Sequence, residues 1–93
     1  MAMKSFGTIE RAAMAEGTLS AKTKELVALA LGDAARCDPC IGCHVQALVR
    51  LGASRQELDG TLGVVVYTGG GPVPMYAANA IAAFDEFSVK APY

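Results

Sequence analysis

The sequence predicts an all-α domain of about five helices. Seventeen alanines, with Leu, Glu and Lys, favour helix. No segment shows the apolar–polar alternation of a half-buried strand. Helix starts and breaks punctuate the chain at Ser20, Asp38-Pro39, Ser54 with Glu57, and Gly69-Gly70-Gly71-Pro72. At 93 residues there is room for one core, so residues 1–93 are read as a single domain without repeat or linker.

A first helix over Ser5 to Glu16 sets Phe6, Ile9, Ala13 and Met14 near one face, and Gly17 stops it. The second follows the N-cap Ser20 and runs to about Arg36. Its run from Leu26 to Leu31 is apolar at every position, the pattern of a buried central helix, and Glu25 is read as its single interior acid. Asp38-Pro39 opens the third helix, because proline in a first turn forfeits no intrahelical bond, and Gly52 ends it. Ser54-Arg55-Gln56-Glu57 has the spacing of a capping box and starts the fourth. The β-branched stretch Gly63 to Thr68 resembles a strand by propensity, yet a lone strand has no partner here, so helix is expected. Pro72 and Pro74 suit the first turn of a fifth helix with Met75, Ala78, Ile81, Ala82 and Phe87 as its stripe, and the tail from Lys90 is expected to fray.

Apolar residues make up 53% of the chain and charged ones only 18%. A domain this small has a thin stability margin and too few charges to coat a lone sphere, so closed association of identical chains is expected. A net charge of −1 removes the basic footprint that nucleic-acid binding needs. The first residues have no apolar core of a secretion signal, and glycine and proline cut the uncharged run from Gly60 to Phe84 below the ~20 residues of a membrane span. The expectation is therefore a cytoplasmic protein with no membrane partner. In a reducing compartment clustered cysteines point to redox chemistry or a metal rather than to structural staples.

The chemistry concentrates in Cys37-Asp38-Pro39-Cys40-Ile41-Gly42-Cys43-His44. Read as C-x-x-C-x-x-x-H, it places Cys37, Cys40 and His44 along one side of a helix. Cys37 falls at the helix start, where free N–H groups and the dipole favour a thiolate, and His44 lies one turn beyond Cys40. That is a dithiol with its own base, able to form and open a disulfide without a metal. Two other parsings stay open. Cys40-Ile41-Gly42-Cys43-His44 matches the C-x-x-C-H of covalent haem attachment, and Cys37, Cys40, Cys43 and His44 are all metal-ligand types, although no second ligand pair exists in the chain. Cys43 is read as a packing residue. Glu25, if buried, needs a partner, and His44 is the natural one. The triple glycine lacks the Gly-Lys-Ser/Thr of a phosphate loop and is a turn.

Glu25, Cys37, Cys40 and His44 in this spacing, with Gly52-Ala53-Ser54, Glu57 and Gly69-Gly70-Gly71-Pro72 further on, resemble the alkylhydroperoxidase D-like group of the carboxymuconolactone decarboxylase family over about residues 6 to 88. The resemblance implies an all-α fold assembled as a trimer or hexamer. It implies Cys40 as the sulfur that attacks a peroxide, Cys37 as the resolving cysteine, and His44 with Glu25 as a proton relay. The partners implied are a small hydroperoxide and an external dithiol or thioredoxin-like reductant, with no cofactor and no metal. The chain departs from the pattern at Pro39, where some peroxidase members carry a second histidine, and in having Cys43. The competing expectations are lactone chemistry like that of the namesake decarboxylases, independent of the cysteine pair, and an oligomeric module that senses oxidation or binds metal.

Overall fold

The computed structural model describes residues 2–69 and 73–90. Its helices are α1 (Ala2–Met14), α2 (Ala21–Ala34), α3 (Asp38–Arg50), α4 (Arg55–Gly69) and α5 (Val73–Lys90), with no strand among the described residues. The β-branched end of α4 is helical, as its lack of a partner strand requires. Gly70 to Pro72 and Ala91 to Tyr93, on which the expected break and part of the fraying tail fall, lie outside the described residues.

Local chemistry sets each boundary. Ser20 is extended (φ −66°, ψ 156°) and its hydroxyl accepts the Thr23 N–H at 3.1 Å, so α2 begins where its cap is satisfied. At the other end Arg36 N–H donates to the Asp33 carbonyl and Cys37 N–H to the Gly32 carbonyl, both at 2.9 Å, a Schellman turn with Arg36 at φ +59°. Left-handed backbone costs a residue other than glycine about 1–2 kcal/mol. That turn delivers Cys37 as the N-cap of α3. The α3–α4 link repeats the motif, with Ala53 N–H on the Leu48 carbonyl at 3.0 Å, and there Gly52 (φ +76°) takes the left-handed position without strain. The capping box forms as read: Ser54 N–H donates to Glu57 Oε1 at 2.8 Å and Glu57 N–H to Ser54 Oγ at 3.0 Å.

The core is built by α2 to α5. Leu29, Val45, Leu48 and Leu58 are fully buried, and Ile41, Leu62, Ala77, Ala80 and Phe84 close around them. Lys22 pairs with Glu57 at 2.9 Å and Arg55 with Asp85 at 2.7 Å, which tie the start of α4 to the start of α2 and to the second half of α5. α4 therefore runs parallel to α2, and α5 returns antiparallel to both. Such exposed pairs, screened by solvent, orient the helices more than they stabilise them.

The sequence reading needs correction in three elements. α1 starts and stops earlier than Ser5 to Glu16, buries no residue, and leaves Phe6 and Ile9 about two-thirds exposed at 66% and 65%. α2 is not buried all round, because Val27 and Leu31 face outward on the side away from α3. The packed face of α5 is Ala77, Ala80, Ile81, Phe84 and Phe87, so Ile81 and Phe87 lie on it as expected, whereas Met75, Ala78 and Ala82 are exposed. An alanine-rich helix offers apolar side chains on every face, so periodicity alone misplaces its phase, and the close approach to α3 selects the alanines that fit.

Leu29→Ala removes a fully buried side chain at the centre of α2 and is expected to lower stability by about 2–5 kcal/mol, while Ser54→Ala removes one cap and costs about 1 kcal/mol. Urea denaturation followed by circular dichroism measures both.

Candidate functional site

α2 and α3 meet at a glycine. A Cβ added to Gly32 would lie 3.1 Å from the Cys40 Cβ, so any larger residue would press on the cysteine. One turn of α3 further on, the antiparallel partner of His44 is Glu25, one of the side chains that face α3 from α2. Cys37, the extended N-cap (φ −108°, ψ 93°), accepts the Cys40 N–H on Sγ at 3.3 Å. Cys37 and Cys40 are joined in a disulfide with Cα atoms 5.2 Å apart. Both are half-buried, so the bond is reachable from solvent.

His44 Nδ1 lies 2.7 Å from Glu25 Oε2, and the two side chains are 28% and 15% exposed. A carboxylate can only accept, so Nδ1 donates to it, and in a neutral imidazole this arrangement leaves the lone pair on Nε2, the tautomer of a general base. The structure thus brings Glu25, Cys37, Cys40 and His44 onto one α2–α3 seam. Cys43 is exposed rather than packed, because its position on α3 turns past Cys40 away from the core. Among the described residues no group of His, Cys, Asp and Glu converges in the manner of a metal site.

The reading of Glu25 as the single interior acid of α2 is overturned by Asp33. Asp33 is fully buried at 0% exposure, and neither of its carboxylate oxygens has a hydrogen-bond partner. Burial alone pushes its pKa up from the ordinary aspartate value. The signal was the helical spacing Glu25, Leu29, Asp33, which puts the acid on the same face as the most buried leucine. Two apolar grooves also went unseen. One of about 380 Å³, lined by Leu26, Val27, Leu31 and Val64, and one of about 300 Å³, lined by Met14, Leu19, Val27 and Leu31, adjoin on the outer face of α2, away from the sulfurs.

Fold and seam together define a class: an all-helical protein whose C-x-x-C disulfide is backed by a histidine–carboxylate pair. The chain belongs to the carboxymuconolactone decarboxylase family, which it matches over residues 2–83. It is 54% identical to a carboxymuconolactone decarboxylase family protein from Legionella pneumophila whose apo crystal structure superposes with a TM-score of 0.91 over 94% of this chain and 78% of that one. A Thermotoga maritima crystal structure matches at 32% identity and a TM-score of 0.86 over 92% of this chain and 78% of that one. Among curated proteins, an uncharacterized protein of Cupriavidus necator is 40% identical, over 90% of this chain and 74% of that protein. Uncharacterized protein 4 in the cox locus of Paracoccus denitrificans is 30% identical, over 87% and 73%. No helix among the described residues is long and apolar enough to cross a membrane.

Because the folded pKa of Asp33 is raised, its ionisation opposes folding: the contribution of Asp33 to stability is fully present below the unfolded aspartate pKa and is lost as pH rises through the folded value. Asp33→Asn is expected to remove that loss, so that its stability relative to wild type increases from pH 4 to pH 8. Urea denaturation across that range measures the difference, and a gap that stays constant with pH would contradict this account of Asp33.

Proposed function

We propose that this protein is a cytoplasmic thiol–disulfide oxidoreductase that reduces a small hydroperoxide and is reset by an external dithiol. The observation that carries the reading is the half-buried Cys37–Cys40 disulfide at the N-terminus of α3 beside the His44–Glu25 pair. In the reduced protein His44 takes the Cys40 proton, and the Cys40 thiolate attacks the terminal peroxide oxygen. An S–O bond forms, the O–O bond breaks, and the alcohol leaves with the proton returned by His44. Cys37 sulfur then attacks the Cys40 sulfenate, closing the disulfide and releasing water. A dithiol donor reopens it by two exchange steps, its own sulfurs ending as a disulfide. Cys40 is assigned the attack because its helical spacing to His44 is a single turn and the family resemblance points the same way, whereas the helix N-terminus favours negative charge on Cys37.

Cys40→Ser is expected to abolish peroxide consumption. Cys37→Ser is expected to stop after one equivalent with a sulfenate that a dimedone adduct reports by mass, and His44→Ala to slow the first step by roughly 10²–10⁴. Unchanged turnover in Cys40→Ser sinks the mechanism.

The working form is proposed to be a homo-oligomer, a trimer or hexamer, that covers the outer face of α2. Support comes from the low charge content and from Leu31 and Val64, exposed at 67% and 65% on adjoining grooves. Leu31→Lys is expected to reduce the mass found by sedimentation equilibrium, and an unchanged mass would remove this face from the interface.

A further inference from the structure

Helix α1 is amphipathic, and its apolar side is bare. At about 100° per residue, Ala2, Phe6, Ile9 and Ala13 share one side of it, and Lys4, Thr8 and Arg11 share the opposite one. The polar side is knit together, because Arg11 Nη2 donates to Thr8 Oγ1 at 3.4 Å and Thr8 Oγ1 donates to the Lys4 carbonyl at 3.1 Å. The apolar side has no such partner: α1 buries no residue, and Met3 beside the stripe is 84% exposed. A helix of 13 residues is marginal in water by itself, so the stripe needs a cover if α1 is to persist.

Within its own chain α1 is fastened at its C-terminal end. Lys24 Nζ donates to the Ala15 carbonyl at 2.7 Å, the Ala21 N–H donates to Glu16 Oε1 at 3.1 Å, and Ala13 and Met14 line the smaller groove of α2. The larger groove, about 380 Å³ between α2 and α4, has no α1 residue in its lining. One chain thus leaves both an apolar helix face and an apolar groove in water.

We propose that this larger groove receives α1 of a second copy of the chain, each copy giving its helix to a neighbour and taking one in return. The inference rests on the assembly proposed above and names the element that covers the outer face of α2.

Length and area favour that occupant. Along α2 the groove runs from Thr23 to Leu31, about 12 Å, and the free stripe from Ala2 to Ile9 runs about 10 Å. Taking about 200 Å² for a fully exposed large side chain, Met3, Phe6 and Ile9 offer roughly 400 Å². Leu19, Val27, Leu31 and Val64, half to two-thirds exposed, offer about as much again. One helix in one groove falls short of the ~800 Å² per partner of a stable interface, whereas giving and taking at once reaches it. A small apolar ligand in the groove would leave α1 bare, and a lipid surface against α1 would leave the groove open. A second copy covers both, and reciprocal exchange closes the assembly.

Sedimentation equilibrium and amide hydrogen exchange on the full chain test the assignment. Phe6→Lys combined with Ile9→Lys is expected to lower the mass as Leu31→Lys does, and both α1 side chains are exposed in the single chain, so its core stays intact. In the wild type the α1 amides are expected to be protected from exchange. Val64→Lys, which alters the groove on α4 where no α1 residue of the same chain reaches, is expected to abolish that protection. Wild-type mass in the α1 double variant, or α1 amides as protected in Val64→Lys as in the wild type, overturns the proposal. Where Leu31→Lys lowers the mass and the α1 double variant does not, the assembly stands and its assignment to α1 fails. A wild type that sediments as a single chain ends both, and its capture by phosphatidylserine vesicles through Phe6 and Ile9 would assign α1 to a lipid surface instead.

Discussion

The contact on which this molecule turns is the approach of α2 to α3 at Gly32, where a missing side chain lets one helix lie on the Cys40 Cβ. Because α2 and α3 are antiparallel there, His44, one turn after Cys40, lies where α3 faces the first half of α2, and the long Glu25 side chain reaches it from there. The His44–Glu25 bond is thus a consequence of helix spacing more than of any local loop. The Schellman turn at Arg36 does the rest. By forcing a residue with a side chain into left-handed backbone, it ends α2 abruptly enough for Cys37 to cap α3, and a capping sulfur is one that meets N–H donors and the positive end of the helix dipole. Strain at the one residue Arg36 accompanies the placement of a redox-capable sulfur.

Two carboxyls on one helix face meet opposite environments. Glu25 is partly solvated and bonded to an imidazole, so its charge is compensated in place. Asp33 is sealed off and uncompensated. One helix face thus holds one acid beside an imidazole and another sealed from water, and the physical difference is depth along the α2–α3 seam.

Most of this seam was legible in the sequence, because its logic is local. Ser20, Ser54 with Glu57, and Asp38-Pro39 announce helix starts through short-range hydrogen bonding, and the C-x-x-C-x-x-x-H spacing lies within a single helix. The Glu25–His44 partnership crosses between helices, yet it followed from the cost of burying a carboxylate alone. What escaped were features decided by packing. Asp33 near the end of α2 was passed over because a polar residue late in a helix usually faces water, and only tertiary packing buries it. The phase of α5 escaped because alanine fits any face. Arg36 escaped because left-handed backbone is signalled in sequence by glycine or asparagine, and this chain uses neither. Cys43 was misjudged for a related reason: free cysteine is commonly buried, but its azimuth on α3 lies beyond Cys40, on the solvent side.

The division of labour among the helices bears on how chemistry and stability are separated. Every group on the redox seam belongs to α2, α3 or the turn between them, and those helices are pinned within one chain by Leu29, Ile41, Val45 and Leu48. By contrast, α1 adds nothing to that core, and the side of α2 opposite the cysteines is an apolar surface continuous through Leu19, Val27, Leu31 and Val64. A small domain with so few charges gains little from leaving such a surface in water, at roughly 25 cal/mol per Å² of apolar area. Association across that face would act on the back of α2 and leave the front untouched. Contacts that stabilise the assembly would then reach the disulfide by shifting α2 as a body, through its close crossing at Gly32, its packing at Leu29 and the Glu25–His44 bond.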